Sequence, residues 1–208
     1  EKEKRMNLKK CKHNDCNNKA LVFSDFCFHH AENIDDLKNK IYDFIINNKN
    51  LKGYNFSFLD LTNIDFSKKD ISYSIFSRCK FKNNNFSNAT IVSSFFDFAT
   101  LTDCNFTKSN TRFLVFGGSD MENVIFLDST VIFSNFLGTN LKNANFNNSD
   151  LRYSRFVEAN TEKATFKNCN LKNTIFLNTI LEKNSLDGSN YEDAIIIKHD
   201  SSSQYNFF

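Results

Sequence analysis

An all-β solenoid is the fold class this 208-residue sequence predicts, and three observations predict it. Every fifth position from Leu51 to Ile196 is apolar, broken only by Thr111 and Thr161, and no insertion shifts the register. Two residues before each of these positions runs a column of mostly small side chains, among them Ser74, Cys79, Ala89, Ala99, Ala144 and Cys169. From Phe56 to Phe176 every tenth residue is Phe, with mostly Leu, Ile, Val or Met between. Five residues advance about 500° around an α-helix, so the apolar groups never form a stripe. On a flat strand the odd interval sends alternate side chains to opposite faces. A chain that turns a corner once per five residues resolves both problems, because every apolar side chain then points to a common axis. Coils stacked at about 4.8 Å satisfy one another's backbone groups and share one core. The interval alone leaves open whether a coil has three, four or five sides.

Residues 1–30 precede the repeat and hold Cys11, Cys16, Cys27 and His30 in the spacing Cys-x4-Cys-x10-Cys-x2-His. Three thiolates and one imidazole complete a tetrahedral structural zinc site, and four protein ligands leave no position for a reactive water. His13 and His29 are the alternative nitrogens, and unliganded thiols or a disulfide are the alternative states. The segment resembles the short zinc knuckle of form Cys-x4-Cys…Cys-x2-His. Its expected task is to fold a core-poor stretch and fix the helix that follows.

Residues 31–50 change rhythm. Ile34, Leu37, Ile41, Phe44 and Ile45 share one helical face, Asn33 is placed to cap it, and Asp35 and Asp36 fall in the first turn. The spacing predicts an amphipathic helix covering the N-terminal end of the solenoid, since both ends of such a stack expose core and sheet edges.

Residues 51–197 are the repeat. In the small column the three later cysteines, Cys79, Cys104 and Cys169, read as small buried hydrophobes. Asn or Asp often stands just before the central residue, as at Asp60, Asp65, Asn105 and Asn145, where corner geometry and local backbone hydrogen bonds favour it. The hydroxyls of Thr111 and Thr161 should reach a backbone carbonyl, because an unpaired buried hydroxyl costs about 1–3 kcal/mol. Residues 198–208, "KHDSSSQYNFF", lose the beat and read as a C-terminal tail.

"ANFNN", "SDLRY" and "ANTEK" are local examples of a motif similar to that of the pentapeptide-repeat family, Ala-(Asp/Asn)-Leu/Phe-X-X, and the resemblance covers roughly 51–197. It implies four sides per coil and right-handed winding, a quadrilateral β-helix. With four sides, ten residues lead to the opposite wall, so Phe would line two facing walls and smaller chains the other two. Some members of that family mimic duplex DNA with an acidic surface and protect DNA gyrase and related topoisomerases. This chain departs from that pattern, because residues 51–197 hold 15 acidic and 15 basic side chains.

Catalysis has little to work with. No His lies within the repeat, so neither a Ser-His-Asp nor a Cys-His arrangement can be built there, and no phosphate loop or dinucleotide fingerprint appears. The net charge of +2 gives no global pull toward nucleic acid or a membrane surface, and residues 1–50, with 10 basic and 8 acidic side chains, add only a weak electrostatic case for nucleic acid. No apolar run approaches the roughly 20 residues that span a bilayer. No signal peptide is read at the start, and the expected setting is the reducing cytoplasm.

Binding is the function class that remains. Four-sided geometry sends polar side chains outward on the walls centred on Leu61/Phe81/Leu101/Met121/Leu141 and on Phe66/Phe86/Phe106/Phe146. The other two walls present Tyr73, Ile75, Val92, Phe95, Phe98, Phe113, Val115, Ile132, Phe133 and Tyr153. These either stack as ladders between coils or form one apolar patch for a protein partner or a homodimer, because monomers seldom expose large ones. Gly117 and Gly118 lie inside this region, where the chain can kink or a partner approach closely. At the C-terminal end Tyr191 and Ile195–Ile197, with Phe207 and Phe208, need cover, either from the tail or from a second copy in a homodimer.

Overall fold

Hydrogen bonds that reach across twenty residues set the architecture. In this computed structural model, which describes residues 8–183 and 185–197, every parallel pairing of the repeat joins positions twenty apart, as in Asn55↔Ile75, Asn105↔Ile125 and Asn140↔Asn160. Four sides of five residues therefore make one coil. Where pairing is regular it forms three-residue strands: β1 (Lys80–Lys82), β2 (Thr90–Val92), β3 (Thr100–Thr102), β4 (Asn110–Arg112), β5 (Thr130–Ile132), β6 (Arg155–Val157), β7 (Ile175–Leu177) and β8 (Ile195–Ile197). They assemble as β1-β3, β2-β4-β5 and β6-β7-β8, all parallel. The tail, with Phe207 and Phe208, lies outside the described residues. Among those described, no helix is long and apolar enough to cross a membrane.

The apolar column forms the core. We number the walls in chain order: the first is centred on Leu51, Ile71, Ile91, Thr111, Val131 and Leu151, the second on Phe56 to Phe176, the third on Leu61 to Leu141, and the fourth on Phe66 to Phe166. Phe rings of the second wall stack coil on coil, at 4.7 Å for Phe136–Phe156 and 5.0 Å for Phe56–Phe76. Those of the fourth stack likewise, at 4.5 Å for Phe86–Phe106. The two stacks meet edge to face, as at Phe146–Phe156 (5.6 Å, 87°), an arrangement favoured by the ring quadrupole. Thr111 and Thr161 are buried on the first and third walls, and their hydroxyls donate to the carbonyls of Thr130 and Ile180.

The small column does more than save space. Ser74, Ser94, Ser154 and Thr174 each donate to the carbonyl 23 residues earlier, which belongs to the previous side of the coil below. The thiols of Cys79 and Cys169 do the same at 2.9 Å, to Phe56 and Phe146.

The bend lies where the spacing does not mark it. Asn or Asp before the central residue sits in the paired strand position, and its side-chain oxygen accepts the amide two residues on, as in Ser57 N–H to Asn55 Oδ1 (3.0 Å). The corner itself falls two residues after the central one. There φ is positive in coil after coil, for example 60° at Asn63, 57° at Asn88 and 58° at Asn143. The amide of the next residue closes a turn onto the central carbonyl, as in Cys79 N–H to Phe76 O. A turn whose third residue has positive φ selects Gly and Asn, and Gly53, Gly118, Gly138 and Gly188 occupy this position.

At the N-terminal end, α1 (Ile34–Asn47) covers the first coil, inside the expected 31–50 span. Ile41 and Ile45 are fully buried in the same apolar cluster as Leu51 and Leu59. Asn33 stands at the cap position, but its backbone is left-handed (φ 48°) and its side chain makes no capping bond, so the expected cap is absent. The other terminus is capped instead. Lys69 replaces a small residue in the inner column and reaches the carbonyls of Ile46 (3.3 Å) and Asn48 (2.8 Å). Burial holds its ammonium below the usual lysine range. Tyr54, Leu59 and Ile64 precede it in that column, large because no coil lies beneath them, and Tyr54 meets Phe44 of the helix edge to face at 5.3 Å. At the far end Tyr191 and Ile195 are exposed.

Candidate functional site

Two regions concentrate chemistry, and the first is the Cys/His segment. An antiparallel bridge between Lys10 and Lys19 forms a short hairpin carrying Cys11 and Cys16. A turn closed by His30 N–H and Ala31 N–H onto the Cys27 carbonyl presents Cys27 and His30. Asn55 anchors the hairpin to the first coil, donating to the carbonyls of Lys19 and Ala20 and accepting Val22 N–H on its own. The ligating atoms of Cys11, Cys16, Cys27 and His30 all lie within 4.8 Å of one another. Cys16 Sγ to Cys27 Sγ is 3.9 Å, and His30 Nδ1 lies 3.4 Å from Cys27 Sγ and 3.6 Å from Cys11 Sγ. A tetrahedral zinc with Zn–S about 2.3 Å and Zn–N about 2.0 Å requires about 3.8 Å between sulfurs and about 3.5 Å between sulfur and nitrogen. The donor set fits.

The surroundings favour the thiolate at Cys11, whereas at Cys16 a hydrogen bond from the Asn18 backbone is outweighed by burial and the neighbouring thiols, which push that thiol up. Burial pushes the Cys11 thiol up, but hydrogen bonds from Cys27 N–H (3.3 Å) and the His13 backbone, and then from His30 and Cys16, outweigh it and bring it down to about 6. The alternative nitrogens are turned elsewhere. His13 stacks flat on the His30 ring at 3.8 Å, and His29 sits edge-on against Phe58 at 4.6 Å. In contrast, burial pushes Cys104 up to about 12 and Cys169 up to about 11, and Cys79 lies above both, so these three thiols are chemically quiet.

The second region is the corner where the first wall passes into the second. Phe113, Phe133 and Tyr153 stand here in successive coils at the bend position, with φ of 55°, 53° and 61°. Their rings stack at 5.0 and 4.7 Å and remain 50%, 44% and 45% exposed. Tyr73 continues the column two coils away, and Val92 and Ile132 lie just before the bend, the latter buried. Ile75, Phe95 and Val115 lie just after it, half-buried. Phe98 belongs to the next corner, between the second and third walls. There Arg78 lies over both Phe58 (5.9 Å) and Phe98 (4.8 Å), and a Cβ on Gly118 would come within 2.8 Å of the Phe98 ring.

Sequence reasoning missed three members of this surface. Leu137, 46% exposed beside Gly138, escaped because its column alternates with Asp97 and Gly117. Arg112 and Arg155 escaped because single charged residues carry no signal in an apolar pattern. All four arginines among the described residues, Arg78, Arg112, Arg152 and Arg155, belong to the first two walls. Arg152 is held flat by Asp150 through contacts of 2.7 to 3.1 Å, whereas no ion pair or side-chain hydrogen bond among the described residues reaches the exposed guanidiniums of Arg112 and Arg155.

Comparison with known proteins adds likeness. A family model described as the SV2A/B/C luminal domain matches residues 116–196, under half of the chain. QnrB1, a plasmid-mediated fluoroquinolone resistance protein, in a trypsin-treated form, is similar at 20% identity over 74% of this chain and 86% of that one, with a TM-score of 0.44. A pentapeptide repeat protein from the thylakoid lumen of Arabidopsis thaliana is similar at 25% identity over 43% of this chain and 59% of that one, with a TM-score of 0.36. HetL, a pentapeptide repeat protein involved in heterocyst differentiation regulation in the cyanobacterium Nostoc sp. strain PCC 7120, shows 14% identity over 80% and 95%, with a TM-score of 0.23. A search of curated proteins gives no match. The four-sided assignment rests on the twenty-residue register of this chain itself.

Proposed function

We propose that this chain, a four-sided solenoid of pentapeptide repeats, acts without catalysis as a protein-binding scaffold through its aromatic corner. The observation that carries the reading is the backbone beneath Phe113, Phe133 and Tyr153. Each occupies a left-handed position that most often takes Asn, Asp or Gly in this chain. That conformation costs a side chain with a Cβ about 1–2 kcal/mol. Mutual stacking returns part of this, about 0.5–1.5 kcal/mol per pair, yet leaves the rings half in water. Folding alone favours Asn there, so exposed rings are better accounted for by a partner. The test is Phe113→Asp with Phe133→Asp. We expect an unchanged circular dichroism spectrum and loss of the proteins cross-linked to the wild-type chain in its source cell. An unchanged cross-linking pattern and unchanged oligomeric state would end the proposal.

The same reading gives the Cys11/Cys16/Cys27/His30 cluster a structural zinc. When bound, zinc would supply folding energy to a hairpin with few apolar residues of its own. The thiol ligands suit a reducing compartment such as the cytoplasm. Native mass spectrometry should find one zinc per chain. Chelation should expose three thiols to iodoacetamide while Cys79, Cys104 and Cys169 stay unlabelled until the solenoid unfolds. Labelling of the cluster before chelation would count against a bound metal.

The duplex-mimic alternative is the weaker reading, because its acidic rod is absent: Lys80, Lys82, Lys142 and Lys163 share the third wall with Asp60, Asp103, Asp120 and Glu162. It predicts protection of gyrase supercoiling from a quinolone at micromolar protein, which we do not expect.

A further inference from the structure

We infer that the partner segment received by the aromatic corner is acidic as well as apolar, held by the guanidiniums of Arg112 and Arg155 on either end of the Phe113–Phe133–Tyr153 ladder. This rests on the scaffold reading and specifies the chemistry of the partner.

Charges around the ladder sort into paired and unpaired. Along the first wall and its bend, Asp70 is matched by Lys52 at 2.7 Å and Asp150 by Arg152 at 2.7 Å. Thr90, Asn110 and Thr130 fill the corresponding positions between them, so this strip holds no unmatched carboxylate from Asp70 to Tyr153. Unmatched positive charge remains at both ends of the ladder. Arg112 directly precedes Phe113 in the lowest of the three coils, and Arg155 follows Tyr153 by two residues in the highest. Both are exposed, and two coil spacings, about 10 Å, separate their levels.

Arginine and aromatic residues together are the composition of interface hot spots, and a guanidinium carries carboxylate pairing into a desolvated contact better than an ammonium. The distribution supports that role. Lysine supplies the basic charge of the third and fourth walls, while every described arginine sits on the first two. Nucleic acid fits less well, because the three rings already stack on one another and offer edges, not faces, to a base. A second copy of this chain would bring the same unmatched arginines against themselves at a face-to-face contact.

Two fluorescein-labelled peptides test this on the full chain: one in which Phe and Leu alternate with Asp and Glu, and one with Lys in place of every acid. Wild-type protein should bind the acidic peptide roughly tenfold more tightly than the basic one, with the preference shrinking as salt rises. Arg112→Glu with Arg155→Glu should reverse the preference, and Phe133→Asp should weaken binding of the acidic peptide. Equal binding of the two peptides, a preference that survives the charge reversal, or binding of neither overturns the inference. So does a concentration-dependent dimer that Phe133→Asp dissolves and charge reversal leaves intact. In each of these cases the scaffold proposal still stands or falls on its own cross-linking experiment.

Discussion

Two corners of the same solenoid use one backbone conformation for opposite purposes. At the bend after the third wall, Asp103, Asn123 and Asn143 stand in consecutive coils, with Asn123 donating to Asp103 at 2.9 Å and Asn143 to Asn123 at 3.0 Å. At the bend after the first wall, Phe113, Phe133 and Tyr153 stand in equivalent positions and stack. Asn tolerates the left-handed bend and each rung of its ladder satisfies the next, so that corner is settled by the chain alone. The aromatic corner carries the same bend at higher cost and leaves apolar surface in water. The difference separates what the fold requires from what it only permits. Period, small column and bend are common to both corners, and the aromatic rings and unmatched arginines belong to one.

If the core is indifferent to which corner lies outside it, matched deletions behind each should cost the same. Phe136, on the second wall, and Phe126, on the fourth, are both fully buried and each stacks on neighbours at 4.5 to 5.1 Å. Phe136→Ala and Phe126→Ala should each destabilise by about 3–5 kcal/mol in urea unfolding. Values differing by more than about 1.5 kcal/mol would mean that the aromatic corner supports the core and is not an addition to it.

A smaller effect comes from exchanging the corners' residues. Phe133→Asn should change stability by less than about 1 kcal/mol, because the gain in the left-handed bend offsets lost stacking. Asn143→Phe should destabilise by about 1–2 kcal/mol, since it adds the backbone cost and orphans the Asn123 side chain. Thermal melts of the two variants check the order. A strongly destabilised Phe133→Asn would place the aromatic ladder among the structural requirements.

Much of this architecture was legible in the residues, and the reasons are particular. A five-residue column is read by counting, because the same contact recurs in every coil and only Thr111 and Thr161 interrupt it. Their partners were legible too, as buried hydroxyls have few options. The bend position was not, although Asn and Gly crowd it, because Phe58, Tyr73, Phe98, Phe113, Phe133 and Tyr153 share it and mask the preference. Lys69 is the one charged residue in the inner column, and nothing local says that its ammonium ends at a helix C-terminus 21 residues earlier. The metal candidate was legible in its spacing, whereas setting His30 apart from His13 and His29 needed the turn that faces it toward Cys27 and the contacts that turn the others away.

A last pair of substitutions separates bend strain from ring packing within the aromatic region itself. Gly118 and Gly138 are adjacent in one column with nearly equal φ, 65° and 61°, so an added methyl group meets the same backbone penalty at both. Their surroundings differ: a Cβ at Gly138 meets nothing within 4 Å, whereas at Gly118 it would stand 2.8 Å from the Phe98 ring, which must then move. Gly138→Ala should therefore cost about 1 kcal/mol, the left-handed term alone. Gly118→Ala should cost that and about 1 kcal/mol more as Phe98 swings away, taking with it the contact to Arg78. In Phe98→Ala the two glycine substitutions should become equivalent. A difference that persists there would show that the ring of Phe98 is not what Gly118 makes room for, and the packing at the second corner would need another explanation.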